Sequence, residues 1–151
     1  MTTLNPYISF RGNARQAMEF YRSVFGGDLI VSTFGESQMS QDPSDDELVL
    51  HSQLTGSSGL VLMASDTPAR MSFTPGDTIS VSLSGEDEAE LRGYWDALAV
   101  DATITAPFER APWGDLFGMC TDRFGVHWMV SVTSAPTGSD SSTNAQHGMM
   151  D

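Results

Sequence analysis

The sequence predicts an α+β chain made as a tandem repeat, each half running strand, helix and three strands. Three observations carry this. The order of elements recurs, with an amphipathic helix in each half. The helix stripes correspond, since adding 74 to Phe20-Tyr21 gives Tyr94-Trp95. The strand phases correspond too, since adding 66 to Met63 gives Met129 in the matching strand. Agreement at three levels makes chance similarity the weaker account.

The first half opens with a short strand, Asn5 to Phe10. Asn13 then offers an N-cap with Gln16 three residues on, the pattern of a capping box. Ala14, Ala17, Met18, Tyr21, Val24 and Phe25 recur at three- and four-residue steps, so the helix has one apolar face, and Gly26-Gly27 supply its left-handed stop. Asp28 to Phe34 reads as a strand. Residues 35–47 are polar and acidic without periodicity, which predicts a loop that is either a flap or poorly ordered.

Leu48 to Thr55 and Leu60 to Ser65 form the next pair of strands. An odd number of unpaired residues in the turn aligns Leu48, Leu50, Leu54, Leu60, Leu62 and Ala64 on one face, interrupted by Ser52. Val49, His51, Gln53, Val61, Met63 and Ser65 then share the other. The apolar face calls for a helix over it, which leaves His51, Gln53 and Met63 opposite.

Residues 66–77, with Pro68, Pro75 and Gly76, read as a linker. Thr78 to Ser84 alternates cleanly, Ile79, Val81 and Leu83 against Thr78, Ser80, Ser82 and Ser84. A second helix runs from about Asp87 to Ala99 with Leu91, Tyr94, Trp95 and Leu98 as its stripe. Trp113 to Val130 reads as an antiparallel hairpin turning at Asp122-Arg123-Phe124-Gly125. There Val126, Trp128 and Val130 alternate with His127, Met129 and Ser131. The expected organisation is one domain over 1–133, with modules at about 4–66 and 78–133, and a disordered tail over 134–151, rich in Ser, Thr and Gly.

Composition narrows the function. The 151 residues carry a net charge of -13, with seven arginines and no lysine. Scattered arginines do not make a phosphate-binding patch, so nucleic acid is not an expected partner. The missing lysine excludes Schiff-base and P-loop mechanisms. No apolar run reaches the roughly 20 residues needed to span a bilayer, no secretory signal is visible, and a cytoplasmic protein is expected. Cys120 lies on an apolar strand phase and reads as a buried, inert thiol.

Four segments carry a family resemblance: PYISFRGNARQAMEFYRSVFGG, LVLHSQLTGSSGLVLMASD, TISVSLSGEDEAELRGYWDAL and PWGDLFGMCTDRFGVHWMV. They resemble the PhnB-like branch of the vicinal oxygen chelate superfamily, which includes glyoxalase I, extradiol dioxygenases and bleomycin-resistance proteins. The WGD-x-FG-x-x-x-D-x-FG-x-x-W run is the most specific part. The resemblance covers about residues 4–133. It implies two βαβββ modules forming an eight-stranded open cup with helices outside, commonly in a homodimer.

Enzymes of the superfamily hold a divalent metal through four ligands on the first and last strands of the modules. Strand phase and the repeat offsets place those positions at Pro6, Met63, Ser80 and Met129. None is a usual ligand for a hard divalent ion, so no metal and no other cofactor is expected. The branch often bears a demethylubiquinone methyltransferase label, yet no Gly-rich strand-turn-helix that would cradle a nucleoside cofactor is present.

What remains is a cup face expected to bind a small molecule. The first module would contribute Ile8, Phe10, His51, Gln53 and Met63 to it. The second would contribute Ser80, Ser82, Phe117, Met119, His127 and Met129, with Trp113 near the rim. A metal-free binding protein is the leading expectation. Two alternatives stay open: a metal-dependent lyase, isomerase or dioxygenase with an atypical site, and a dimeric protein whose cup is filled by its own side chains.

Overall fold

The computed structural model describes residues 1–133, and the expected disordered tail lies outside the described residues. The chain divides into two compact units between Asp77 and Thr78. Each is a four-stranded sheet with one helix.

In the first unit the elements run β1 (Tyr7–Phe10), α1 (Ala14–Phe25), β2 (Asp28–Thr33), β3 (Val49–Thr55) and β4 (Val61–Asp66). The sheet order is β1-β4-β3-β2, with β1 parallel to β4 and the other pairs antiparallel. Helix α1 packs on β2, β3 and β4. Its buried stripe is Ala14, Ala17, Met18, Tyr21 and Phe25, the face set by helical periodicity. Gly26, at φ 70°, stops the helix, its N–H reaching the Arg22 carbonyl at 2.7 Å. Gly27 must lack a side chain because a Cβ there would collide with the Thr55 carbonyl.

The helix start differs from the expected capping box. Asn13 makes no side-chain cap. The cap comes instead from Asp66 at the end of β4, whose Oδ1 accepts the Gly12 and Ala14 N–H groups at 2.8 and 3.0 Å. Its Oδ2 accepts the Val49 N–H at 2.9 Å. One buried carboxylate thereby joins the ends of three elements, and its charge sits against the positive end of the helix dipole.

Pairing of β3 with β4 sets Gln53 against Met63 and Leu54 against Leu62, which keeps each pair on the face that an odd turn predicts. Ser52, the polar interruption of the apolar face, is fully buried and donates its hydroxyl to the Ala64 carbonyl at 2.7 Å. A buried hydroxyl satisfied in this way costs little. Val49 departs from simple alternation. The β2–β3 register slips between Ser32 and Thr33, leaving Leu50 as the extra residue, and Val49 turns inward to 1% exposure.

The acidic segment 35–47 is built from tight turns. Glu36 Oε1 accepts the N–H and hydroxyl of Thr33, and Asp42 Oδ1 accepts the Ser44 N–H at 2.9 Å. These backbone bonds lower both carboxyl pKa values. A 3₁₀ turn follows at Pro43–Asp45, and Asp45, itself buried, pairs with Arg70 at 2.8 Å.

The second unit runs β5 (Val81–Gly85), α2 (Glu88–Leu98), β6 (Thr103–Arg110), β7 (Leu116–Thr121) and β8 (His127–Val132). Its order, β5-β8-β7-β6, repeats that of the first unit element for element. Asp87 caps α2 by accepting the Glu90 N–H at 3.1 Å. Leu91, Trp95 and Leu98 are the buried stripe. Trp95 stacks on Phe108 of β6 at 5.4 Å between ring centroids. Gly118 of β7 makes room for both: a Cβ there would stand 2.9 Å from Phe108 Cα and 3.0 Å from the Trp95 ring.

The turn between β7 and β8 is organised by Asp122. Its Oδ1 accepts the Phe124 and Val126 N–H groups at 2.8 and 3.0 Å, an extended Asx-type turn. Its Oδ2 accepts the Trp128 indole N–H at 2.8 Å. Beside it, Cys120 is buried, and its thiol pKa is raised to about 11 by burial first and by the Asp122 charge second.

Candidate functional site

In each unit the helix takes one face of the sheet, and the registers define a row of side chains across the other. The row in the first unit is Tyr7, Met63, Gln53 and Ile30, one from each strand. In the second it is Ser82, Met129, Met119 and Ala106. A methionine on the inner strand is common to both rows, as the repeat requires.

The structure brings most of the sequence-derived residues onto these helix-free faces. His51 and Gln53 share a phase of β3, and Met63 lies opposite Gln53. Phe117, Met119, His127 and Met129 lie on the corresponding phases of β7 and β8, with Met119 directly opposite Met129. Ser82 stands beside Met129. Trp113 lies in the turn before β7, 41% exposed, with its ring 6.0 Å from that of Phe117.

Three residues do not fit. Phe10 was expected on the site face, but its register partner is Asp66, and it is 4% exposed in the core with Ala64 and Leu62. Ile8 shares that phase. The four-residue strand YISF is short and apolar at three of four positions, so alternation cannot fix its phase. Parallel pairing with β4 does, and it turns Tyr7 and Ser9 to the helix-free face instead. Ser80 is the third exception. It precedes β5 and is exposed, so Ser82 holds the place beside Met129.

With these registers, the first-strand positions that the resemblance implies for a metal fall at Tyr7 and Ser82 instead of Pro6 and Ser80. The donor pairs are then Tyr7 with Met63 in one unit and Ser82 with Met129 in the other. Neither a phenol with a thioether nor a hydroxyl with a thioether fits a hard divalent cation, which takes carboxylate oxygen or imidazole nitrogen. Among the described residues, no three His, Cys, Asp or Glu side chains gather as a metal site would require.

Both histidines on the two faces are engaged at Nδ1. His51 Nδ1 lies 3.2 Å from the Tyr7 hydroxyl, which reaches across β4, and the two rings are 5.7 Å apart. His127 Nδ1 lies 2.8 Å from Thr121 Oγ1, its register partner on β7. Tyr7 and Thr121 were missed in the sequence. Tyr7 was hidden by the ambiguous phase of β1. Thr121 was within reach of the hairpin pairing, which sets it opposite His127.

Comparisons with known proteins agree with this architecture. Residues 2–131 match the family model described as 3-demethylubiquinone-9 3-methyltransferase. Protein YjdN of Escherichia coli K12 is 29% identical over 140 residues, covering 85% of this chain and 94% of YjdN. The crystal structure of protein PA1353 from Pseudomonas aeruginosa is 34% identical, with a TM-score of 0.78 over 89% of this chain and 100% of that one. The PhnB protein of Bacillus cereus is 27% identical, with a TM-score of 0.69 over 87% and 100% of the two chains.

Proposed function

The chain belongs to the 3-demethylubiquinone-9 3-methyltransferase family, the PhnB-like branch of the vicinal oxygen chelate superfamily with the glyoxalase/bleomycin-resistance fold, and from that premise we propose that it is a metal-free small-molecule-binding protein. The observation that carries this reading is the composition of the helix-free face of the second unit. Phe117, Met119 and Met129 form an apolar wall, Ser82, Thr121, His127 and Ser131 set polar groups around it, and the Trp113 ring lies tilted beside that of Phe117. An apolar, aromatic surface with few fixed polar groups is the usual make-up of a site for a flat organic molecule. Thioethers add soft contacts that adapt to an aromatic ring.

Methyl transfer does not describe this surface. A nucleoside cofactor is held by a Gly-rich strand-to-helix turn in a parallel sheet. Here each sheet has a single parallel pair, and the turns into the helices are Arg11-Gly12-Asn13 and Glu86-Asp87. The donor pairs of the rows argue equally against a hard metal ion.

We also propose a homodimer in the cytoplasm. Ile30, 71% exposed on the edge strand β2, and Ile104, 44% exposed on the edge strand β6, favour burial against a partner. None of the helices among the described residues is long and apolar enough to cross a membrane. The binding reading is tested by labelling the methionine methyl groups and titrating chelator-treated protein with planar aromatic compounds. The proposal expects shifts at Met63, Met119 and Met129, and shifts restricted to Met39 and Met71 would refute it. Sedimentation of the native protein tests the dimer, and a monomer at every concentration would exclude it.

A further inference from the structure

The reading of these faces as a ligand surface can be taken further, because the hydrogen-bond partners of the two histidines fix what they offer. In each unit Nδ1 faces a hydroxyl, from Tyr7 in one and Thr121 in the other. A bare imidazole nitrogen is a stronger acceptor than a phenol or alcohol oxygen, so the favoured arrangement has each hydroxyl donating to Nδ1. The ring proton then resides on Nε2. Among the described residues Nε2 of neither ring has a protein hydrogen-bond partner, so each presents a free donor.

The charges around these donors select the ligand further. Of the eight strands only β6 carries an arginine, Arg110, which stands opposite Leu116 and gives its guanidinium to the Gly114 carbonyl at 2.6 Å. Glu109 stands opposite Phe117, and the whole chain carries a net charge of -13. Among the described residues the strand phases that carry the two histidines hold no arginine, so an anionic group would meet an unfavourable field. A neutral acceptor would meet a donor and a soft apolar wall.

We infer that His51 in the first unit and His127 in the second, held as Nε2–H donors by Tyr7 and Thr121 respectively, each select on the helix-free face of their own unit an uncharged planar ligand that carries a carbonyl acceptor. This rests on the reading of the helix-free faces as ligand-binding. Tyr7 and Thr121 are positioning residues, acting through the histidines.

The test uses three matched probes: 2-acetonaphthone, which is neutral with a carbonyl, 2-naphthoate, which is anionic, and 2-ethylnaphthalene, which has no acceptor. Long-range nitrogen NMR reads the histidine tautomers, and labelled methionine methyls read occupancy. The expected result is the Nε2–H tautomer at both histidines, with 2-acetonaphthone binding about tenfold more tightly than either other probe, as one hydrogen bond made or lost allows. Tyr7→Phe and Thr121→Val should mix the tautomers and erode that preference, leaving the Met18 methyl signal of the core unchanged. Equal affinity for all three probes with Met63 or Met129 shifting would overturn the inference and leave the binding reading standing. The Nδ1–H tautomer in both rings would also overturn it. If no probe moves those methyls, the inference and the binding reading fall together.

Discussion

Trp128 donates its indole N–H to Asp122 across 2.8 Å, and the same carboxylate holds the β7–β8 turn through two backbone N–H groups. The largest fully buried side chain among the described residues is therefore tied to the turn that sets the register of the inner hairpin. Trp128→Ala should destabilise the fold by about 3–5 kcal/mol, from lost burial and the cavity left behind. Trp128→Phe should retain much of the packing but lose the hydrogen bond to a charged acceptor, at about 1.5–3 kcal/mol. Chemical denaturation of the two variants measures both. Equal stability of Trp128→Phe and the native protein would remove the indole bond from the account.

Asp66 plays the corresponding part in the first unit, joining the starts of α1 and β3 to the end of β4. Asp66→Ala leaves three N–H groups without this acceptor and should cost about 2–4 kcal/mol, whereas Asn13→Ala should cost well under 1 kcal/mol because that side chain caps nothing. The contrast in denaturation midpoints is the check, and a larger loss at Asn13 would restore the capping box.

Gly118→Ala should be destabilising without any positive φ being involved. The added methyl meets Phe108 Cα and the Trp95 ring at about 3 Å, and one of these packed groups must move. Overpacking of this kind costs typically about 1–3 kcal/mol. The thermal midpoint of the variant tests it, and an unchanged value would show that β6 yields easily.

Cys120 should be inert in the native protein. Its thiol pKa is raised by burial from the ordinary 9.0 to about 11, so the neutral form is the one favoured by folding. The sign follows directly. This contribution is fully present below pH 9 and is lost as pH rises toward 11. Cys120→Ala should flatten that part of the stability–pH curve, and an aromatic disulfide reagent at pH 8 should label the thiol only after unfolding. Rapid labelling of the folded protein would contradict the burial.

The repeat was legible because each helix stripe and each inner strand alternates over enough residues to define a phase. His51, Gln53, Met63, Phe117, His127 and Met129 inherited their face from that alternation, and the registers place them there. Phe10 was misplaced because YISF is too short to show a phase, and only pairing with a strand more than fifty residues away decides it. Val49 was misplaced by a bulge, which no periodicity announces. Strand β6 was the hardest to see, since TITAPFER contains a proline and its register with β7 is irregular at two points. The helix cap at Asp66 was invisible for a different reason: local sequence offered Asn13, and a tertiary contact replaced it.

Loosening the segment 35–47 should follow from Arg70→Ala. The guanidinium meets the buried Asp45 carboxylate at 2.8 Å, and removing it leaves that charge without its cation. Limited proteolysis should then cut within 35–47 faster, with the two helices unaffected by circular dichroism. Unchanged cleavage would show that the turns at Glu36 and Asp42 suffice.

Binding of a small molecule on the helix-free faces without a metal is read out by the methionine methyl spectrum. Protein treated with chelator and titrated with 2-acetonaphthone should show saturable shifts at Met63, Met119 and Met129, with Met18 in the core unmoved. The same shifts should persist when manganese or zinc is added back. Shifts that require the added metal, or that never reach Met63, Met119 or Met129, would contradict the account.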